Sequence, residues 1–312
     1  MLKDLGSSSE QEWFAGLAEI GARDGYFRRL GRAHAALYVR RKPTLIVTFE
    51  TSASIRRTDD QLPLGLTTAE FRQWSHLCLI ARGNSWYRDP AVYAYFDRLV
   101  DEAFFEDFDH VVFYGAGMAG YAAAAYSVAA PGASVILVQP QATLDPAFAG
   151  WDPRFSEQRR LCFTDRYGYA PDMTEGAGAV FVLYDPEQTL DAMHAALFKR
   201  PFTTLLACRN LGSDVAGALC AMQILPSVLT AAASGDFDAQ LFWTFYRIRR
   251  NHLPYLGKLS SKLATDGRPY LEALLARNTG ERLNDEKFRR RAADLAVQLS
   301  KAGISLPKMP RP

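Results

Sequence analysis

The sequence DHVVFYGAGMAGYAAAAYSV, residues 109–128, decides the fold. Residues 111–114 are β-branched or aromatic, which favours a buried strand. The next six residues, 115–120, carry very little side chain, so the backbone can turn sharply there. Residues 121–128 are rich in alanine, which favours a helix. The stretch therefore predicts a strand, a sharp turn and a helix.

Two motifs with different functions overlap in this turn. Gly115, Gly117 and Gly120 match G-x-G-x-x-G, which between a strand and a helix can hold a pyrophosphate at the helix N-terminus. The same residues match the nucleophile elbow, small-x-nucleophile-x-small, with Gly117 at the nucleophile position. Glycine has no side chain that can attack a substrate. One motif predicts a nucleotide-binding protein and the other a hydrolase-like protein.

Composition predicts a cytoplasmic globular protein. Of the 312 residues, 48% are hydrophobic, which is ample for a core, and no apolar run is long enough to span a bilayer. The formal charge of +2 argues against nucleic acid or a membrane surface as a partner. No secretion signal is recognisable at the N-terminus. The four cysteines lie far apart with no C-x-x-C, which predicts free thiols and no metal site. The oligomeric state does not follow from the sequence.

The pattern of elements predicts an α/β fold. Strands are expected at 34–39, 44–50, 76–81, 111–114, 134–138, 179–184 and 202–208. Helices are expected within the first 30 residues and at 90–105, 121–128, 190–198 and 214–233. Strands that alternate with helices indicate a mainly parallel sheet with flanking helices. From about residue 237 only helical patterns remain, so we expect a helical C-terminal tail.

The same pattern predicts three parts. Residues 1–43 form an N-terminal extension of helix and strand, 44–235 the α/β core, and 236–312 the helical tail. Within the core, residues 139–175 form a cap-like insertion that is rich in Pro, Asp, Arg and aromatic residues. A loop of this length usually carries function or short helices. Its arginines suit the binding of a carboxylate, sulfate or phosphate, and ordinary packing explains them equally well.

The order of elements over about residues 44–233 resembles the α/β-hydrolase fold. The glycine turn follows the strand that carries the elbow in that fold, and Asp185 follows a later strand, where the triad acid belongs. The resemblance implies a histidine after the last strand, but CRNLGSD, residues 208–214, has Ser213 or Asp214 there. Without nucleophile and histidine the Ser-His-Asp mechanism is unavailable. The resemblance therefore implies a catalytically degenerate hydrolase.

More narrowly, the chain resembles a group of uncharacterised α-proteobacterial proteins that are sometimes labelled phosphoadenosine phosphosulfate reductase. The phrases that carry the resemblance are TFET at 48, FDRLVDEAFFEDFD at 96, FYGAGMAGYAAAA at 113, QPQATLDP at 139 and VLYDPEQTLDAMHAALF at 182. That reductase family uses an S-G-G-x-D-S loop and a C-terminal catalytic cysteine. This chain has neither, and its last cysteine is Cys220.

Nucleotide binding through the glycine motif stays open as an alternative. Dinucleotide-binding folds place the glycine turn after the first strand, whereas two or three strands precede it here. They also place an acidic residue about 20 residues further on, where this sequence has Gln139-Pro140-Gln141. The favoured prediction is therefore no cofactor, and the alternative is a nucleotide.

Two sets of residues are candidates for the site. Asp185 and His194 are the catalytic candidates if the cleft works by another route as a hydrolase or transferase, although a helix cap and a packed mid-helix histidine explain them as well. The candidate ligand-binding residues lie in the glycine turn and in the loops beside it: Gly115, Ala116, Gly117, Met118, Thr51, Ser52, Arg56 and Ser213. In hydrolases the loop after the first strong strand donates an oxyanion-hole amide, and helix N-termini attract anions. The sequence therefore predicts a small anionic or glycan-related ligand.

Overall fold

Eight strands of the chain form one sheet. The computed structural model describes residues 9–41 and 43–307. The strands are β1 (Gly25–Leu30), β2 (His34–Val39), β3 (Thr44–Thr51), β4 (Ser75–Ala81), β5 (His110–Ala116), β6 (Ser134–Val138), β7 (Ala179–Tyr184) and β8 (Thr203–Ala207). They lie in the order β1-β2-β4-β3-β5-β6-β7-β8. β2 is antiparallel to β1 and β4, and the remaining neighbours are parallel. This mixed, mainly parallel sheet is of the α/β-hydrolase type, which confirms the predicted fold class.

Helices precede, connect and follow the strands. In the described part of the chain they are α1 (Glu10–Asp24), α2 (Ser52–Ile55), α3 (Leu64–Arg72), α4 (Pro90–Asp101), α5 (Met118–Tyr126), α6 (Pro146–Ala149), α7 (Thr189–Leu197), α8 (Val215–Ala221), α9 (Ile224–Ala233), α10 (Ala239–Tyr246), α11 (Leu253–Thr265), α12 (Pro269–Arg282) and α13 (Glu286–Lys301). The predicted insertion holds α6 and two 3₁₀ segments, Pro153–Arg160 and Asp172–Thr174. The helical tail is present as α10 to α13.

Each face of the sheet carries an apolar core. On one face α4 and α5 pack against β3 and β5, where Phe49, Phe96 and Tyr126 stack. On the other face α1 and α3 pack against β2 and β4. The helix starts follow the sequence signals. Asp89 caps α4 by accepting the N–H of Ala91 at 2.8 Å, with proline at the first helical position. Because β3 to β8 are parallel, their carboxyl ends lie along one edge of the sheet, where ligands bind in such sheets.

Besides α2 and α3, which lie where no helix is predicted, three elements differ from their prediction, each for a local reason. β1 was not predicted because only Leu30 of this edge strand is buried, so no apolar alternation marks it. The helix from Pro90 ends at Asp101 because Ala103 adopts φ 52°. The predicted helix at 214–233 is two helices, α8 and α9, because Gln223 adopts φ 57° between them. Left-handed backbone cannot continue a right-handed helix.

No single helix in the ranges 9–41 and 43–307 is long and apolar enough to cross a membrane. By length and composition α8 and α9 pass that test together, but they meet at a 90° bend.

The chain divides into two compact units, Met1–Phe242 and Trp243–Pro312. The first unit contains the whole sheet, and the second contains α11 to α13. The predicted boundaries at 43/44 and 235/236 stay predictions. Residues 1–8 of the predicted N-terminal extension lie outside the described ranges.

Candidate functional site

Gly117 has the backbone conformation of a nucleophile elbow. It lies between β5 and α5 with φ 57° and ψ −124°. Its N–H donates to the carbonyl of Val138 at 2.9 Å, which ties the turn to the end of β6. A Cβ built on Gly117 has no heavy atom within 4 Å. The absence of a side chain is therefore not required by crowding, and a side chain at this position would lie in open space.

Packing explains the two outer glycines of the turn. A Cβ on Gly115 would lie 2.0 Å from the carbonyl oxygen of Ala119, and a Cβ on Gly120 would lie 3.2 Å from Cα of Pro140. Glycine at both positions lets the strand and the helix approach closely. The G-x-G-x-x-G spacing thus has an explanation that needs no nucleotide.

The structure brings the loop after β3 and the glycine turn to the same edge of the sheet, since β3 and β5 are adjacent parallel strands. Thr51 ends β3 and caps α2, where its hydroxyl accepts the N–H of Ser54 at 2.9 Å. Ser52 begins α2 and Arg56 directly follows its last residue, and both are half-buried. Across this edge α5 begins at Met118, and the first N–H groups of a helix have no partner within the helix. The edge therefore presents the positive end of a helix dipole.

Asp185 holds the loop in which hydrolases carry their histidine. It follows β7 and is 1% exposed. One carboxylate oxygen accepts the N–H of Glu187 at 3.0 Å, and the other accepts the N–H of Gly212 at 2.7 Å. Ser213 next to it is exposed, and its carbonyl accepts a hydrogen bond from Gln139 Nε2 at 3.1 Å. The acid therefore binds the loop backbone where a triad acid would orient an imidazole.

His194 is fully buried, and both of its ring nitrogens are engaged away from Asp185. Nδ1 accepts the N–H of Ala142 at 3.2 Å, so Nε2 donates to Asp152 at 3.1 Å. Burial lowers the pKa of His194. Because both nitrogens have other partners, no hydrogen bond joins His194 to Asp185. A catalytic role for these two residues stays a prediction.

Asp152 belongs to a chain of charged contacts that the sequence did not reveal. Arg154 donates to Asp152 at 2.8 Å and to Asp191 at 2.6 Å. Gln139 donates to the other oxygen of Asp191 at 2.6 Å and accepts the N–H of Val215 at 2.8 Å. This network joins the insertion, α7, the end of β6 and the start of α8. The only sequence signal was Gln139 itself, a polar residue directly after a strand of apolar residues.

Glu50 is a further polar group that the sequence analysis missed. The two carboxylate oxygens accept the N–H of Leu64 at 3.1 and 3.2 Å. One of them also accepts the O–H of Thr48 at 3.1 Å. Burial raises the pKa of Glu50 to about 7. The available signal was its position, an acidic residue that ends an apolar strand immediately before the loop of Thr51 and Ser52.

Comparisons with known proteins give structural likenesses alone. No protein-family model matches the chain, and no curated protein matches it. Among solved structures, an esterase of Pyrobaculum calidifontis is 13% identical, with 72% of this chain and 91% of that chain covered and a TM-score of 0.42. The capsule O-acetyltransferase of Neisseria meningitidis serogroup A is 13% identical, with 65% and 94% covered and a TM-score of 0.41. The esterase domain of a Rhodothermus marinus protein is 14% identical, with 64% and 92% covered and a TM-score of 0.38.

These identities and scores are low. The α/β-hydrolase type of the fold rests instead on the strand order and on the elbow between β5 and α5.

Proposed function

We propose that this chain is a non-hydrolytic protein of the α/β-hydrolase type that binds a small anionic or glycan-related ligand at its elbow. The observation that carries the proposal is Gly117. It keeps the backbone conformation that hydrolases use to expose a nucleophile, and the space where a side chain would lie is open.

The surroundings of Gly117 favour an anion. In active hydrolases the amide after the nucleophile and an amide from another loop stabilise an oxyanion. Here the N–H of Met118 and the loop of Thr51 and Ser52 occupy those places at one edge of the sheet. With no serine side chain at 117, a carboxylate or a similar group of a ligand has room beside these amides.

The remaining triad positions support binding without chemistry. Asp185 accepts the N–H of Gly212 in the loop where a histidine would stand, and that loop has Ser213 and Asp214 instead. Neither side chain is a base of the imidazole kind. The elbow therefore has no hydroxyl nucleophile, and the loop after β8 has no imidazole base.

A thermal-shift experiment with matched variants tests the proposal. Acetate and glucuronate serve as anions, and NAD and NADP test the nucleotide alternative. Met118→Pro removes one amide donor at the first helical position, where proline is tolerated. Met118→Leu keeps the amide and removes only the sulfur, which accepts the N–H of Trp86. Thr189→Pro makes the same change at the start of α7.

We expect glucuronate or acetate to raise the melting temperature of the wild type, Met118→Leu and Thr189→Pro, and not that of Met118→Pro. Ligand at 100 times its Kd stabilises by about 2.7 kcal/mol. Equal stabilisation of all four proteins would place the ligand elsewhere and refute the proposal. Stabilisation by the nucleotides alone would favour the glycine motif as a nucleotide site.

One specific observation favours a second candidate function, hydrolysis or acyl transfer through an unusual constellation. Ser85 Oγ lies 2.7 Å from Nε2 of His34, and Nδ1 of His34 lies 3.5 Å from the Asp89 carboxylate. Burial lowers the pKa of His34, which favours the neutral base. Triads are recognised by geometry and not by sequence position. A structural role competes, because Ser85 also accepts the N–H of Tyr87 and Asp89 caps α4.

A fluorophosphonate probe separates the two functions. The first candidate predicts no covalent label on the wild type. A label that Ser85→Ala removes and Ser213→Ala retains would support the second candidate instead. The same variants report on turnover of short-chain esters, which the second candidate requires.

A further inference from the structure

Positive charge is concentrated in the C-terminal unit. Residues 243–312 contain 15 Lys and Arg against 6 Asp and Glu, a formal charge of +9. The rest of the chain carries −7, so the total of +2 conceals the separation. A unit with such an excess attracts anions over several ångströms, most strongly at low ionic strength.

Four arginines of this unit line one cavity of about 570 Å³, a volume within the range of small-molecule sites. The cavity lies between the 3₁₀ turn Arg247–Asn251, α11 and α12. Among the described residues no acidic side chain lines it. The residues that matter here are Arg247, Arg249, Arg250, Arg282, Asn251 and Asn278.

Two of the arginines are held in place by their neighbours. Arg282 donates to the carbonyl of Arg250 at 2.5 Å, to Asn278 at 3.3 Å and to Asn251. Arg249 donates to the carbonyl of Tyr246 at 2.8 Å and lies over that ring at 4.3 Å. All these partners are neutral. The guanidinium groups of Arg249 and Arg282 are therefore held in position, and their positive charge is not neutralised.

The side chains of the other two arginines are available to a ligand. In the described part of the chain the side chains of Arg247 and Arg250 have no hydrogen bond and no ion pair, and both residues are exposed. Four like charges around one cavity repel each other unless an anion joins them. Guanidinium groups bind phosphate with two parallel hydrogen bonds each.

We propose that this cavity binds a phosphate-bearing ligand, at a site separate from the elbow. A neighbouring cavity of about 760 Å³ in the same unit provides the contrast. Its walls combine Lys287, Arg290 and Arg291 with four acidic residues, Glu272, Asp285, Glu286 and Asp294. Arg291 donates to Glu272 at 2.7 Å and Arg290 pairs with Glu286 at 3.1 Å, so positive charge there is balanced internally. The arginine cavity lacks that balance.

Isothermal titration of the full chain with inorganic pyrophosphate, at low salt and again at 0.15 M salt, tests the proposal. We expect sub-millimolar binding that weakens at least tenfold in Arg250→Gln and in Arg282→Gln. Arg290→Gln removes one positive charge from the balanced cavity and is the matched control, with affinity expected to stay within twofold. Equal loss in all three variants, or no binding by the wild type, would overturn the proposal.

A second experiment, with lipid vesicles, shows whether the phosphate belongs to a free compound or to a lipid headgroup. Phosphatidylglycerol vesicles are compared with neutral phosphatidylcholine vesicles by co-sedimentation. Pyrophosphate binding without sedimentation assigns the site to a free phosphate compound. Sedimentation with the anionic vesicles alone, abolished in Arg250→Gln and competed by pyrophosphate, assigns it to a lipid headgroup. Sedimentation that Arg250→Gln retains contradicts an assignment of lipid binding to this cavity.

Discussion

Replacing Glu50 by glutamine should make the stability of the protein less dependent on pH. Burial holds the folded-state pKa of this carboxyl at about 7, against the ordinary 4.5. The protonated form is thus the one that folding favours. The contribution of the protonated carboxyl to the stability of the folded protein is complete below about pH 4.5 and is lost as the pH rises through 7.

The size of the effect follows from the pKa difference. One pKa unit corresponds to about 1.36 kcal/mol, so a shift from 4.5 to about 7 limits the change in unfolding free energy to about 3 kcal/mol. Glu50 is half-buried, and contact with water reduces this change by screening the charge. We therefore expect Glu50→Gln to gain about 1–2 kcal/mol relative to the wild type between pH 4.5 and pH 8.5.

Urea denaturation of both proteins at pH 4.5, 6, 7 and 8.5 measures the difference in unfolding free energy. Glutamine can still accept the N–H of Leu64, so any cost from its amide group is the same at every pH. Glu175→Gln, at an exposed position, is the control and should show no such trend. The reasoning is refuted if the difference between Glu50→Gln and wild type is constant with pH, or if it moves in the opposite direction.

Three further predictions concern the fold and the elbow. Arg88→Ala should destabilise the first unit by about 3 kcal/mol and expose the 139–175 insertion to limited proteolysis, because Arg88 is buried and donates to the carbonyls of Cys162 and Arg166. Gly117→Ser should cost about 1–2 kcal/mol in thermal unfolding, since φ 57° is strained for serine, and should give no esterase activity. Asp185→Ala should cost about 1–3 kcal/mol by removing the acceptor of the Glu187 and Gly212 amides, and amide hydrogen exchange at Gly212 should become faster.

Local patterns made much of the fold predictable. The apolar strand and the small residues of 109–128 predicted strand, turn and helix, and the structure has β5, Gly117 and α5 there. The Asp-Pro pair at 89 predicted the start of α4 in the same way. Such signals lie within a few residues of the element that they describe, so the chain alone contains them.

The polar contacts of the site could not be predicted because they join distant parts of the chain. Arg154 and Asp191 are 37 positions apart, and Glu50 and Leu64 are 14 apart. Neither pair leaves a periodic pattern. The same holds for the cavity of the C-terminal unit, where Arg282 approaches Asn251 across 31 positions. Only the packing of the helices brings these groups together.

The hydrogen bond from Gly212 to Asp185 has a consequence for the evolvability of this fold. A serine at 117 and a histidine at 213 would restore two members of a triad, next to an acid that already accepts the N–H of Gly212. Each carboxylate oxygen can accept more than one hydrogen bond, so the imidazole would share the carboxylate with an amide nitrogen 2.7 Å away. Conversion of this chain into a hydrolase therefore requires, besides the two side chains, a loop after β8 in which the imidazole reaches a free lone pair of Asp185. The hydrogen bond thus fixes the geometry in which a new histidine would have to approach the acid.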